Sequence, residues 1–191
     1  SSISGIDDVA MTTNGHTLEA LAGPLATAGL NRVNVSIDSL ESTRFARLTR
    51  GGSLQRVLRG LEAARLAGLT PIKLNVVILG GQNEHEVHDL IEYFSPHAED
   101  TMLRFIEYMP FEERRYKSVP AASLRSTIRE RWTLEPAPKR SPTDGPAQRY
   151  QIKETGLELG FISPLSEHFC ASCNRLRLMA NGHLRTCLAH E

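Results

Sequence analysis

The sequence predicts an α/β fold built on a parallel sheet, and three features carry that expectation. Short runs rich in β-branched and apolar residues alternate with stretches whose leucines recur at helical spacing. Asn-Gly, Gly and Pro punctuate the boundaries between them. After Pro110 the rhythm breaks, and the tail carries hairpin signals instead. Strands separated by helices argue for right-handed crossovers in a sheet that is open or closed as a barrel.

Taken in order, "DVAMTTNG" (8–15) is a strand running into a turn, and "HTLEALAGPLATAGL" (16–30) a helix. A second strand, "RVNVSIDSL" (32–40), precedes helices over about 41–50 and 53–66, the latter stopped by Gly68 as a C-cap. "PIKLNVVILGG" (71–81) forms the third strand, and "NEHEVHDLIEYFSP" a third helical region with Asn83 as N-cap and acidic residues in its first turn. "TMLRFIEYMPF" (101–111) is the fourth strand, and "VPAASLRSTIRERW" an amphipathic helix. Residues 135–149 are rich in Pro, Gly and charge and read as an exposed loop or linker. "YQIKETGLELGFISP" (150–164) alternates like a hairpin through Thr155-Gly156, and Asn181-Gly182 marks a second one. The expected division is 1–118 and 119–191.

With 40% apolar and 23% charged residues, the 191-residue chain has the composition of a soluble globular core. Twenty-two Lys and Arg cancel 22 Asp and Glu, so no global field draws it to nucleic acid or an anionic membrane; any anion binding must be local. No apolar run approaches the ~20 residues of a membrane helix, and the first residues lack the zones of a signal peptide. The expected compartment is the cytoplasm. All three cysteines lie within residues 170–187, a distribution that favours metal binding over a secreted disulfide scaffold.

Ligands of parallel α/β sheets and barrels gather at the carboxyl ends of the strands, which selects Thr12, Thr13, Asn14, Ser36, Asp38, Asn75, Glu107 and Met109. Turn and cap chemistry accounts for Thr12, Thr13 and Ser36 equally well, and Met109 alone would be filler. Lys73 and Arg104 are charges inside strands, where a lone charge is costly. Either they pair with Glu107 or Asp38 or snorkel outward, or they form an anion site in a lumen.

The stretch "CASCNRLRLMANGHLRTC" contains the sharpest pattern, C-x2-C-x13-C. A tight turn aims the sulfurs of Cys170 and Cys173 at one ion, and Cys187 from a hairpin strand adds a third corner of a tetrahedron. His190 would complete a Cys3His structural zinc site, in a noncatalytic module using its arginines on RNA or another phosphate partner. The alternative is an iron-sulfur cluster on three cysteines with one iron open to a ligand. Arg175 and Arg177 fall on one face of a strand leaving the turn, where two planar forks suit phosphates or a carboxylate; the plainer alternative is a solvated face.

"FCASCNRLRLMANGHLRTC", together with "TTNG", "RVNVSIDSL", "IKLNVVILGG" and "LRFIEYMPF" upstream in the same order, resembles the GTP 3',8-cyclase family of radical S-adenosylmethionine (SAM) enzymes in molybdenum cofactor biosynthesis. The likeness covers nearly the whole chain. It implies a partial TIM-like (β/α) barrel with a β-rich, cluster-binding C-terminal extension, and two 4Fe-4S clusters at opposite ends of the barrel cavity. One cleaves SAM to a 5'-deoxyadenosyl radical, which abstracts the ribose 3' hydrogen of GTP so that the sugar carbon attacks C8 of guanine. The other holds the guanine on its open iron. The same resemblance implies that Cys170, Cys173 and Cys187 hold the second cluster. Thr12, Lys73, Arg175, the Leu176 backbone and Arg177 would bind GTP, and Ser36 and Met109 would bind SAM. Asn75 and Arg104 would line the cavity beside them, no catalytic residue is assigned, and a homodimer is implied for the intact protein.

One departure stands out: no cysteine precedes Cys170, so the C-x3-C-x2-C of the radical cluster is absent from these 191 residues. The chain reads as an internal fragment, in preference to a natural domain variant, carrying the GTP-side cluster alone, and no turnover is expected of it.

Overall fold

The computed structural model describes residues 4–110, 115–138, 145–170 and 173–187. Its elements run β1 (Ala10–Thr13), α1 (Leu18–Thr27), β2 (Arg32–Ser36), α2 (Ser42–Leu48), α3 (Leu54–Leu66), β3 (Ile72–Gly80), α4 (Val87–Phe94) and β4 (Thr101–Glu107). After these come β5 (Lys117–Ser118), α5 (Ala121–Arg129), β6 (Leu134–Pro136), β7 (Gln148–Ile152), β8 (Glu158–Ile162), β9 (Arg177–Leu178) and β10 (Leu184–Arg185).

The main sheet has the order β1-β2-β3-β4-β8-β7-β6, with β5 added to β3. β1 to β4 and β8 are mutually parallel, as the alternation of strands and helices predicts, and β7 and β6 continue the sheet antiparallel. Among the described residues β1 and β6 end this order, so the sheet is an open, partial barrel. β9 and β10 form a separate hairpin.

Side-chain alternation explains the layers. Val33, Val35 and Ile37 from β2 and its exit, Ile72, Leu74, Val76 and Ile78 from β3, and Leu103 and Phe105 from β4 are all buried. These join Leu18, Val57, Leu61, Leu90, Ile91 and Phe94 of the helices in one core. Each such side chain contributes roughly 1.5–3 kcal/mol. Gly60 lets α3 lie close on α1, because a Cβ there would fall 2.8 Å from the Gly15 carbonyl. Helix starts follow local chemistry: the Glu41 carboxylate accepts from the amides of Thr43 and Arg44, each at 2.7 Å, and Ser53 Oγ accepts from Arg56. Gly68, at φ 74°, follows the end of α3 as expected.

Two expectations are corrected. Asn83 holds the N-cap position of the 3-10 turn that runs into α4, but its side chain makes no capping hydrogen bond. Its Oδ1 accepts from Leu79 N at 2.8 Å and its Nδ2 donates to Asp38 O and Val77 O, while a short 3-10 turn over Glu84–Glu86 separates it from α4. Its side chain is completely buried, so the backbone groups at the ends of β2 and β3 recruit it as their partner. The expected loop over 135–149 is also shorter, because β6 and β7 pair at its two ends in the register Pro136↔Tyr150. Both expected hairpins form, around Gly156 at φ 77° and Gly182 at φ 82°.

Candidate functional site

The face of the sheet opposite the helices carries polar side chains in rows. The strand registers align Thr12, Asn34, Lys73, Met102 and Glu158 as one row, and Ser36, Asn75, Arg104 and Gly160 as the next. Rows lie about 6–7 Å apart along the strands, at two residues of rise each. A cavity of about 820 Å³ opens over the first row and is lined by Thr12, Asn34, Lys73, Arg104 and, from the C-terminal segment, Arg175. The tertiary fold thus brings together four residues singled out from the sequence, Thr12, Lys73, Arg104 and Arg175, which span most of the chain. The expectation of a site at the carboxyl ends is corrected in part. The cavity covers the amino-terminal halves of the strands, because Gly145, Pro146, Ala147 and Arg175 fold across that end and wall it.

The lining mixes acids (Asp7, Asp8, Glu99, Asp100, Glu158) with bases (Arg32, Lys73, Arg104, Arg149, Arg175), and Asp8, Asp100 and Glu158 are held in ion pairs with Arg32, Arg65 and Arg149. Arg104 is half-buried and its Nε has no hydrogen-bond partner among the described residues. Burial, with the positive fields of Arg175 and Arg32, lowers its pKa to about 10. The expected alternative, a pair with Glu107 or Asp38, is not what Arg104 makes. Glu107 is buried and accepts from the amides of Leu165 and Ser166 at 3.0 Å each, and from the hydroxyls of Ser166 and Ser118. Asp38 accepts from Val77 N at 2.8 Å, and burial raises its pKa against that hydrogen bond. The side-chain oxygens of Asn34 and Asn75 are also buried and without a hydrogen-bond partner among the described residues. Orphaned polar atoms on a concave face are where a ligand supplies the missing partners.

Smaller features shape the pocket. A Cβ on Gly160 would meet Met102 and fall 3.1 Å from Arg104 Cγ, and one on Gly145 would fall 2.4 Å from Arg175 Nη2. Gly145 leaves room for the Arg175 guanidinium, and Gly160 for the stem of Arg104. Asn34 Nδ2 donates to Thr12 Oγ1 at 3.1 Å, whereas Thr13 and Asn14 serve the turn after β1 by accepting from Gly15 N and His16 N. Sequence reasoning missed Arg32, Asn34, Arg149 and Glu158 as lining residues. The parity of Ser36 would have found Arg32 and Asn34. No local pattern signals Arg149 and Glu158, which form an ion pair at 2.5 Å across two strands.

The remaining residues lie around this cavity. Ser36 ends β2 and Met109 lies beyond the last residue of β4, so both stand toward the carboxyl end of the sheet, apart from the cavity lining. Leu176 is 65% exposed and Arg177 is half-buried at the start of β9. None of the three cysteines is in a disulfide. Cys170 and Cys173 share a turn closed by Cys173 N donating to Cys170 O at 3.2 Å, and Cys187 follows β10 on the returning arm of the hairpin. Three thiols on a turn and its returning arm fit, in donor chemistry, a thiolate-held metal group. The expected shared-ion geometry of Cys170, Cys173 and Cys187 is not assembled, however: among the described residues no three His, Cys, Asp or Glu side chains form a metal-holding group. Thiols have no mutual attraction that would gather them, and metal binding itself organises such sites. His190, the fourth ligand of the zinc alternative, lies outside the described residues. No described helix is long and apolar enough to cross a membrane.

Comparisons with known proteins agree with this layout. Residues 2–94 match the Radical SAM superfamily, and residues 101–191 match Molybdenum Cofactor Synthesis C. A GTP 3',8-cyclase of Paracoccus denitrificans (strain Pd 1222) is 44% identical over 98% of this chain and 54% of its own length. Those of Rhodopseudomonas palustris (strain ATCC BAA-98 / CGA009) and Moorella thermoacetica (strain ATCC 39073 / JCM 9320) are each 43% identical over 97% of this chain, and over 54% and 58% of their own lengths. The chain spans about half the length of the curated relatives it matches. The two matched regions together span nearly the whole chain, the first covering β1 to α4 and the second β4 to the cysteine hairpin, so the chain is similar in turn to the Radical SAM superfamily and to Molybdenum Cofactor Synthesis C.

Proposed function

We propose that this chain is the GTP-binding part of a GTP 3',8-cyclase, which converts GTP to 3',8-cyclo-7,8-dihydro-GTP in molybdenum cofactor biosynthesis. The observation that carries this reading is the cavity in which Thr12, Lys73, Arg104 and Arg175 converge, with Arg104 Nε lacking a hydrogen-bond partner among the described residues. A chain with zero net charge binds a triphosphate only by focusing cations in a partly desolvated pocket.

In this reading Lys73 and Arg104 bind phosphate oxygens from the sheet, while Arg175 and Arg177 grip them from the cysteine hairpin with planar forks. Thr12 Oγ1 and the Leu176 amide supply neutral donors. Ser36 and Met109 bind SAM at the carboxyl end of the same face, Met109 by packing, so the two ligands meet over the Asn75 row. A 4Fe-4S cluster held by Cys170, Cys173 and Cys187 would supply an open iron for the guanine. The sheet and the hairpin exclude water and orient the nucleotide toward SAM. The reading includes a division at 118/119 between barrel and extension, a cytoplasmic setting, a homodimer and no nucleic-acid partner; neutral charge supports the last.

Anaerobic reconstitution with iron and sulfide, followed by metal analysis and GTP titration, tests it. Retained iron with broad visible absorption, together with GTP binding weakened about tenfold or more by Lys73→Met, is expected. Tight zinc with no retained iron, abolished by His190→Ala, would establish the structural zinc module instead.

A further inference from the structure

The β9–β10 hairpin is inside out. Its register sets Arg177 opposite Arg185 and Leu178 opposite Leu184. The leucines face solvent, at 75% and 66% exposure, and Leu176 on the same arm is 65% exposed. Arg177 and Arg185, by contrast, are half-buried. Water would favour the reverse arrangement, since leucine gains from burial and a guanidinium loses. Placing two like charges directly across a ladder adds a further penalty.

Turn chemistry maintains this register. Met179 N donates to His183 O at 2.8 Å, Gly182 N to Met179 O at 2.9 Å, and His183 N to Asn181 Oδ1 at 3.1 Å. A slip of one residue would exchange the two faces. Two residues before Arg177, Arg175 enters the cavity that Lys73 and Arg104 line. Among the described residues, none of Arg175, Arg177 and Arg185 makes a salt bridge. A hairpin that half-buries two directly opposed guanidiniums, Arg177 and Arg185, next to the Arg175 that lines the cavity is organised for a ligand carrying several negative charges.

Resting on the nucleotide reading above, we propose that Arg185 is a third phosphate-binding guanidinium, closing with Arg175 and Arg177 on one polyphosphate chain. Arg177 and Arg185 would grip from opposite arms of the hairpin, which makes the site selective for phosphate number: a triphosphate spans the forks, and a shorter chain leaves one of them unused.

The test titrates GTP, GDP and guanosine into the iron-reconstituted chain and into its Arg185→Gln and Arg185→Lys variants. Arg185→Gln is expected to weaken GTP about tenfold, GDP less and guanosine not at all, with Arg185→Lys recovering part of the loss. Unchanged GTP affinity in Arg185→Gln, or an equal loss for all three ligands, overturns the assignment. If the unsubstituted chain binds none of the three, the nucleotide reading itself falls and takes this inference with it.

Discussion

At Arg104, burial and two neighbouring guanidiniums all oppose the charge that the side chain carries. Packing keeps it there: Gly160 supplies the space beside its stem, and the strand on either side of it is buried core. Such a residue costs stability in the absence of a bound anion. Arg104→Met should therefore raise the melting temperature of the protein without nucleotide, by the equivalent of about 1–3 kcal/mol, while weakening GTP at least tenfold. The sign with pH follows from the lowered pKa. A base whose folded-state pKa lies below its ordinary value of 12.5 destabilises the fold while charged and relieves that cost as pH rises through about 10. The gain in Arg104→Met should accordingly be full at pH 7 and shrink above pH 10, as read by thermal melts across that range; a gain independent of pH would place its origin in packing. Lys73 and Arg104 were legible in the sequence as charges within strands, but their burial was not, because it depends on strands far away in the chain.

Glu107 ties two elements together. As the last residue of β4 it accepts from Leu165 N, Ser166 N and two hydroxyls, and Arg125 holds the adjacent Glu167 at 2.5 Å. The segment leading into Cys170 is thereby pinned to the sheet before the cysteine turn begins. Glu107→Ala removes a buried carboxylate that accepts four part-buried hydrogen bonds and should cost roughly 1–3 kcal/mol. Hydrogen exchange at the Leu165 and Ser166 amides should accelerate together with release of reconstituted iron. Unaltered protection at these amides would show that the clip contributes nothing. The helices and hairpins themselves were readable from leucine spacing, Gly68, Thr155-Gly156 and Asn181-Gly182, since these signals act within a few residues. Asn83 stands at the expected N-cap position, but its side chain bonds elsewhere, because its partners beyond β2 and on β3 are set by packing.

Across the whole molecule, one sheet runs through the 118/119 division. β8 pairs with β4 over five residue pairs, from Met102↔Glu158 to Ile106↔Ile162, and Phe161 meets Phe105 with ring centroids 5.8 Å apart. Residues 1–118 alone would turn β4 into an unpaired, apolar edge. Expressed separately, that piece is expected to aggregate, and co-expression with 119–191 to restore a soluble complex; a soluble, monomeric 1–118 would mean the extension is dispensable for folding. Local composition, period and turn chemistry determined which stretches are strands, the parallel character of the sheet, and the thiolate and guanidinium character of the tail. Only the tertiary structure decided that Thr12, Lys73, Arg104 and Arg175 share one cavity at the amino-terminal half of the strands, and that the hairpin half-buries Arg177 and Arg185 while exposing its leucines. The physical reason is range: propensity and periodicity report neighbours within a turn or two, whereas burial, field and shared lining depend on strand register between residues far apart in the chain.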